Sequence, residues 1–435
     1  MSDPGKRRTG SRHDHGVMVS VNHIDGPPRS AIVVGAGIVG LSTAWFLQER
    51  GVQVTVVDRT GVAAGSSWGN AGWIAPALAI PLNEAGTVRF GLRSLLSSAA
   101  PLRIPLTADV AVWRFLARFA ANSRRSAWRR AVRANLPLNA ECIEAYDVLV
   151  ANGVDAPVTD APITAVFRGS QHAQHLLDEL RRFSDAGGSV STTELTGAAL
   201  REQVPLASSA VAAGVRINGQ RFLDPGRFVT ALGAAVMQRG AELAIGEVTD
   251  VQPGPRGITV SCRGGESLTA PVAVLATGAW LSRLAGRWIR VPVQAGRGYS
   301  FTVPVDGPVP CPIYLPTAKV ACTPLNGKLR VAGTMEFRSP DAPASPGRAD
   351  AIMAAARPLL QGVRWADRDE VWVGPRPVTP DGRPLVGEVA APGVYVAGGH
   401  GMWGMTHGPA TGRMLAELIT TGKQPAALQA LDPLR

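Results

Sequence analysis

Three glycines, one aspartate and one arginine carry the chemistry that can be read first from this chain. The glycines stand at Gly35, Gly37 and Gly40 in a G-x-G-x-x-G spacing, and Asp58 follows the last of them by 18 residues. In that spacing the first glycine permits a tight turn and the second lets the backbone approach a pyrophosphate. The third lets the following helix pack closely on its strand. The Asp58 carboxylate can accept hydrogen bonds from ribose hydroxyls and repels a 2′-phosphate. Arg376 lies between Pro375 and Pro377 in "VGPRPVTPDG", directly after the apolar run Val371–Val373. Proline fixes φ and lacks a backbone donor, so the arginine is held stiffly. A guanidinium placed where water is scarce needs an anion, and its planar fork matches a carboxylate. Two anions are open to it: a bound carboxylate, or Asp381 in a structural ion pair.

The elements around these residues are legible. "AIVV" at Ala31–Val34 reads as a buried strand, and Leu41, Ala44, Trp45 and Leu47 mark one helix face behind the glycines. Gly51 stops that helix, and a second strand, Val54–Val57, delivers Asp58 at its end. Residues 80–200 are mainly helical in pattern, with one strand at Ile163–Phe167. A helix over Arg227–Arg239 leads into further strands, and "VLATGAW" closes one of them. The chain ends with the strand "GVYVAGG" and the helix "GPATGRMLAELI". Pieces of a nucleotide-binding sheet thus occur at the beginning, middle and end. The fold expected is α/β: a Rossmann-like dinucleotide-binding domain interrupted by an α+β substrate domain with a mixed or antiparallel sheet. The segments are a flexible tail (1–29), nucleotide segments 30–85, 223–288 and 371–435, and substrate segments 86–222 and 289–370.

Composition narrows the class. With 46% hydrophobic and 18% charged residues among 435, the chain can bury a sizeable core. Cys142, Cys262, Cys311 and Cys322 form neither a CxxC pair nor a zinc spacing, which reads as a reduced, cytoplasmic protein without metal. No apolar run reaches the ~18 residues of a membrane-spanning helix. Arg7-Arg8 lack the apolar stretch of an export signal. The net charge of +11 is concentrated, since residues 86–135 hold ten Arg against one Asp. Three readings fit that stretch: a solvated basic helix face, docking on an anionic membrane surface from the cytoplasmic side, or nucleic acid. No nucleic-acid motif accompanies the charge, so we exclude the last.

In their order, the N-terminal fingerprint, "GSSWGNAGWIAP", "LDPGRFVTAL", "VLATGAW", "GRGYSFTVP", "VGPRPVTPDGRPLVG" and "GHGMWGMTHGPATGRMLAELI" resemble the FAD-dependent D-amino-acid oxidase superfamily. The resemblance spans roughly 30–425 and is strongest to the D-amino-acid dehydrogenase branch. It implies FAD held by Gly35, Gly37, Ile38, Val39, Gly40, Asp58 and Arg59, and by Ser66, Ser67, Asn70, Ala71 and Gly72. Val248, Thr277 and Gly278 would border the nucleotide, and Met402, Trp403, Gly404, Met405 and Thr406 the flavin ring. It also implies that Arg376 and Tyr299 grip the carboxylate of a small amino acid substrate, from whose Cα a hydride passes to flavin N5. A neutral amine needs no dedicated base. The negative charge on the reduced ring meets the start of the last helix near Thr406–Gly408. A secondary amine such as D-proline or D-hydroxyproline is the alternative substrate. A nicotinamide dehydrogenase and a non-catalytic FAD-binding subunit of a redox complex are the rival classes. The electron acceptor stays open among a quinone, a redox protein and dioxygen.

Overall fold

The computed structural model describes residues 26–84, 86, 102–103 and 109–435. The tail expected over 1–29 therefore lies outside the described residues up to residue 25. The basic segment 86–135 is described from Asp109 onward, apart from Gly86 and Leu102–Arg103.

Ser30–Val34 is almost wholly buried, as a central strand of a parallel sheet covered on both faces must be. It pairs in parallel with Gln53–Asp58 on one side and with Val272–Leu275 on the other. Glu242–Ile245 and Val394–Gly398 extend the sheet in parallel, and Leu385–Glu388 closes one edge antiparallel. Helices Ile38–Glu49, Pro225–Gln238 and Gly404–Thr421 cover one face through Leu41, Trp45, Phe228, Leu232 and Leu415. A three-stranded antiparallel sheet, Val248–Gly254, Gly257–Cys262 and Ser267–Ala270, covers the other through Val251, Ile258 and Val260. The middle helix starts at Pro225 rather than Arg227. The Asp224 side chain accepts the N–H groups of Gly226 and Arg227, and proline suits the first helical position.

The second sheet has nine strands and is mostly antiparallel. Asp369–Val378, Gln294–Pro304, Lys328–Phe337 and Val320–Leu325 lie side by side, and Ile313–Leu315 pairs in parallel with Ile163–Phe167 beyond them. The boundary read at residues 370 and 371 cuts through the strand Asp369–Val378. By its pairing this strand belongs to the large sheet, so the chain rejoins the nucleotide sheet only at Leu385. Two strands that the sequence pattern misses, Val158–Asp160 and Thr192–Leu195, are short and largely exposed, with no apolar run to mark them. The expected fold class holds: a Rossmann-like sheet interleaved in sequence with a larger mixed sheet.

The helices Ile38–Glu49 and Gly404–Thr421 cross with their backbones nearly touching. A Cβ added at Gly412 would stand 2.6 Å from the Thr43 nitrogen. In an exposed helix, glycine to alanine gains about 1 kcal/mol. Here the added methyl forces backbone apart, and overpacking costs roughly 1–3 kcal/mol. Gly412→Ala is expected to lower the Tm of the holoprotein. A raised Tm contradicts the close crossing.

Candidate active site

One cavity opens where the two sheets meet, and both ends of the sequence-derived chemistry line it. Gly35, Gly37, Ile38, Val39, Asp58 and Arg59 line it from the first strand–helix turn, and Ser66, Ser67 and Asn70 from the loop that follows. Val248, Thr277 and Gly278 border it, as do Gly404, Met405 and Arg376. Gly35 adopts φ 113°, and its N–H donates to the Val57 carbonyl at 2.8 Å, which closes the tight turn. Gly40 does not reach the cavity; a Cβ there would overlap the Gly35 carbonyl, so its role is the close packing itself. Asp58 accepts the Ala36 N–H at 2.9 Å on one oxygen and those of Thr60 and Gly61 on the other. Three of its roughly four acceptor positions are filled, and this holds the carboxylate in one orientation.

The loop after residue 63 is stitched to the large sheet. Ser67 Oγ accepts the Ile38 N–H at 3.0 Å, and Ser66 donates to the Pro375 carbonyl beside Arg376. Ala71 and Gly72 turn away from the cavity. The Ala71 carbonyl accepts Thr323 Oγ1 at 2.6 Å, and Gly72, at φ 77°, packs on the Leu223 carbonyl. Three residues of the C-terminal segment expected at the flavin ring lie outside the cavity lining. Met402 packs with Phe115, Phe119 and Met335, Trp403 donates Nε1–H to the Ile80 carbonyl at 3.0 Å, and Thr406 bonds to Trp73 and Ala75. The helix begins at Gly404, ahead of the start expected at Thr406–Gly408, so Gly404 and Met405 face the cavity instead.

Arg376 is held in a specific way. Its Nη1 donates to the Thr334 carbonyl at 2.9 Å, and its guanidinium lies over Gly298, where any Cβ would collide with it. Thr334 has φ 58°, rare for a β-branched residue. Arg297 pairs with Glu336 and Tyr299 with Gly333, so Thr334 and Met335 bulge opposite Gly298 alone. The bulge turns the carbonyl toward the arginine. Asp381 is taken by Arg383 and Arg435, at 2.8 Å and 3.0 Å, and among the described residues Arg376 has no ion pair. Burial alone pushes its pKa down to about 10, so it remains a cation at neutral pH.

Tyr299 requires a correction. Side chains alternate along a strand, and since Gly298 faces Arg376, Tyr299 faces the opposite side. It is 2% exposed in a core with Phe301, Val303 and Ile352. Its hydroxyl donates to Glu336 at 3.1 Å and accepts the Ser345 N–H at 2.8 Å. Tyr299 therefore does not reach a ligand at Arg376.

Residues 30–418 match the family described as FAD dependent oxidoreductase (DAO). The chain belongs to this family, and FAD is its cofactor. Its fold is similar to that of glycine oxidase from Geobacillus kaustophilus, with a TM-score of 0.73 and 21% identity over 94% of this chain and 99% of that one. Glycine oxidase from Bacillus cereus ATCC 14579 gives a TM-score of 0.69 and 22% identity over 94% and 98%. L-proline dehydrogenase from P. horikoshii gives 0.67 and 19% over 94% and 98%. These likenesses show the fold and do not single out the D-amino-acid dehydrogenase branch.

The cavity of this FAD-dependent oxidoreductase fits the cofactor on its own geometry. Helices Ile38–Glu49 and Gly404–Thr421 both present their first residues to it, with no acidic residue in the first turn of either. Two positive helix ends thus face it, suited to a pyrophosphate and to an anionic ring. Thr277 Oγ1, on a cavity-lining residue, is buried without a hydrogen-bond partner. The sequence reading missed Trp280 and Arg283 as cavity residues. Arg59 stacks over Trp280 at 4.1 Å, and Arg59 and Arg283 both pair with Asp341. "VLATGAW" contains Trp280, but its contact with Arg59 comes from separate elements and leaves no spacing signal.

At the cavity wall His400 Nε2 lies 2.9 Å from Thr411 Oγ1, and behind it His407 Nε2 lies 2.6 Å from Asn139 Oδ1. Burial pushes His400 down to about 4, and burial with the neighbouring His400 pushes His407 down to about 3. Their folded values lie below the unfolded value of about 6.5, so the unfolded chain binds more protons between these limits. Stability is present in full above pH ~6.5 and is lost as pH falls toward the folded values. At pH 5 each ring is expected to cost about 2 kcal/mol relative to pH 7, at 1.36 kcal/mol per unit. Urea unfolding of the holoprotein at pH 7 and pH 5 measures this. His407→Gln should reduce the difference by about half, and an unchanged difference contradicts a buried neutral ring.

Proposed function

We propose that this protein oxidises D-amino acids at Cα, as an FAD-dependent dehydrogenase that yields imino acids, which water converts to 2-oxo acids. The observation that carries the reading is Arg376: a half-buried guanidinium facing the FAD cavity, tethered by one carbonyl and, among the described residues, lacking an acidic partner. Such a group binds an anion, and the planar fork suits a carboxylate. FAD, when bound, supplies the acceptor for the hydride and its two electrons. The chain's own contribution is positional. Arg376 fixes the carboxylate, Gly298 leaves the guanidinium room, and the start of the last helix at Gly404 places positive potential at the cavity wall. A neutral amine supplies the electron pair that the imine requires, so we assign no base. The D configuration rests on the ordered motifs of the sequence, and D-proline belongs in the substrate panel as the secondary amine.

Replacing Arg376 with Leu keeps apolar bulk and removes every donor. Loss of one partner of a buried charge pair costs roughly 2–5 kcal/mol, or about 30- to several-thousand-fold, and should appear in kcat/KM. Arg376→Lys should recover part of it, since an ammonium lacks the planar fork. FAD content should stay at the parent level in both. A Leu variant that keeps FAD and turns over D-amino acids like the parent overturns the assignment.

A further inference from the structure

The large sheet carries another arginine, a buried one, on the face that holds Arg376. Arg330 is 4% exposed and lies four residues before Thr334 in the same strand, about 13 Å away at the usual rise of a strand. Its surroundings repeat the first site with the strands exchanged. At the first, Arg376 on one outer strand crosses Gly298 to a bulged Thr334 on the other. At the second, Arg330 crosses Thr302 to a bulged Glu370. Ser300 pairs with Trp372 and Thr302 with Asp369, so Glu370 and Val371 oppose Phe301 alone. Glu370 has φ 51°, a conformation that costs about 1–3 kcal/mol and persists only where the surroundings impose it. Its carboxylate accepts Arg330 Nη2 at 3.2 Å and Thr302 Oγ1 at 3.1 Å.

This cluster opens on a cleft of about 600 Å³ between the helix Pro225–Gln238 and the Asn326–Gly327 turn. The Trp68 ring lies 5.2 Å below the Arg330 guanidinium and lines the same cleft. Arg330 Nε is buried with no hydrogen-bond partner, and burial lowers the pKa of this arginine despite Glu370 and Asp224 nearby. The cleft interleaves three cations (Arg227, Lys328, Arg330) with two carboxylates (Asp224, Glu370). A simple anion meets the two carboxylates, and a simple cation meets the three basic groups. A molecule with both charges on adjacent carbons satisfies both.

We propose that this cleft is a second, non-catalytic binding site for the zwitterion of a free amino acid. The carboxylate pairs with Arg330, the ammonium with Glu370 and Asp224, and the side chain lies against Trp68. The charge pattern of the cleft carries this inference, independently of the function read at Arg376.

Calorimetry on the holoenzyme with 2-aminoisobutyrate tests it, because that amino acid has no hydrogen on Cα to lose. Two binding events per chain are expected, one that perturbs the flavin spectrum and one that leaves it unchanged. Arg330→Met and Glu370→Gln should each weaken the silent event at least tenfold and preserve the other. Arg376→Leu should do the reverse; its failure to weaken the flavin-linked event counts against the reading at Arg376 and not against this one. Acetate and ethylammonium should each bind the cleft at least tenfold more weakly than the zwitterion. A single flavin-linked event in the parent overturns the proposal, as does a silent event unchanged in both variants or acetate binding as tightly as the zwitterion. A fall in Tm for Arg330→Met with no silent event in the parent would make the cluster a sheet staple only.

Discussion

A half-buried guanidinium that has no ion pair among the described residues is the constraint around which this structure is arranged. Taking a cation part-way out of water is costly unless an anion meets it, and among the described residues Arg376 hydrogen-bonds to the carbonyl of Thr334. Three strands cooperate in keeping it there. One carries the arginine between two prolines, the next offers a glycine beneath it, and the third bulges to present a carbonyl. The cofactor loop joins the same arrangement, since Ser66 bonds to the Pro375 carbonyl and Ser300 to that of Gly69. The loop that lines the cofactor cavity is thus hydrogen-bonded to the strand that carries Arg376 and to the strand beside it. In the function proposed above, this coupling keeps a carboxylate on Arg376 in register with the cofactor, which matters because small misplacements slow a reaction steeply.

The two helix ends at the cavity do complementary work. The first faces the turn of Gly35 and Gly37, and the second starts at Gly404, with His400 neutral nearby. Because His400 is uncharged at neutral pH, it adds nothing to the positive potential that the helix end and Arg376 supply to the cavity. The tight crossing of these helices at Gly412 also fixes the distance between the two ends.

Much of this was legible in the sequence where a residue type has a backbone reason. Gly35, Gly37 and Gly40 are dictated by turn, approach and packing, and Asp58 by its place at a strand end. Arg376 could be singled out because two prolines flank it. Tyr299 shows the limit. Its assignment depended on which face of the strand it occupies, and that is decided by the register that sets Gly296 opposite Arg376, while the bulge at Thr334 and Met335 on the next strand aims the carbonyl that holds Arg376. A bulge of two ordinary residues leaves no local signature, and a shift of one residue exchanges the faces. Trp403 and Thr406 lie off the cavity lining because the helix starts at Gly404: its 3.6-residue period turns Thr406 into the core, and Trp403, just ahead of it, bonds to the Ile80 carbonyl.

The account's central claim is that a carboxylate held by Arg376 places the Cα–H of a D-amino acid against the cofactor. The most direct measurement is anaerobic mixing of the purified holoenzyme with each enantiomer of several amino acids, following the visible flavin absorbance. Bleaching by D-amino acids, absent with their L enantiomers and with D-amino acid amides, is the predicted result. Bleaching by the L enantiomers, or equal bleaching by acids and amides, would contradict it.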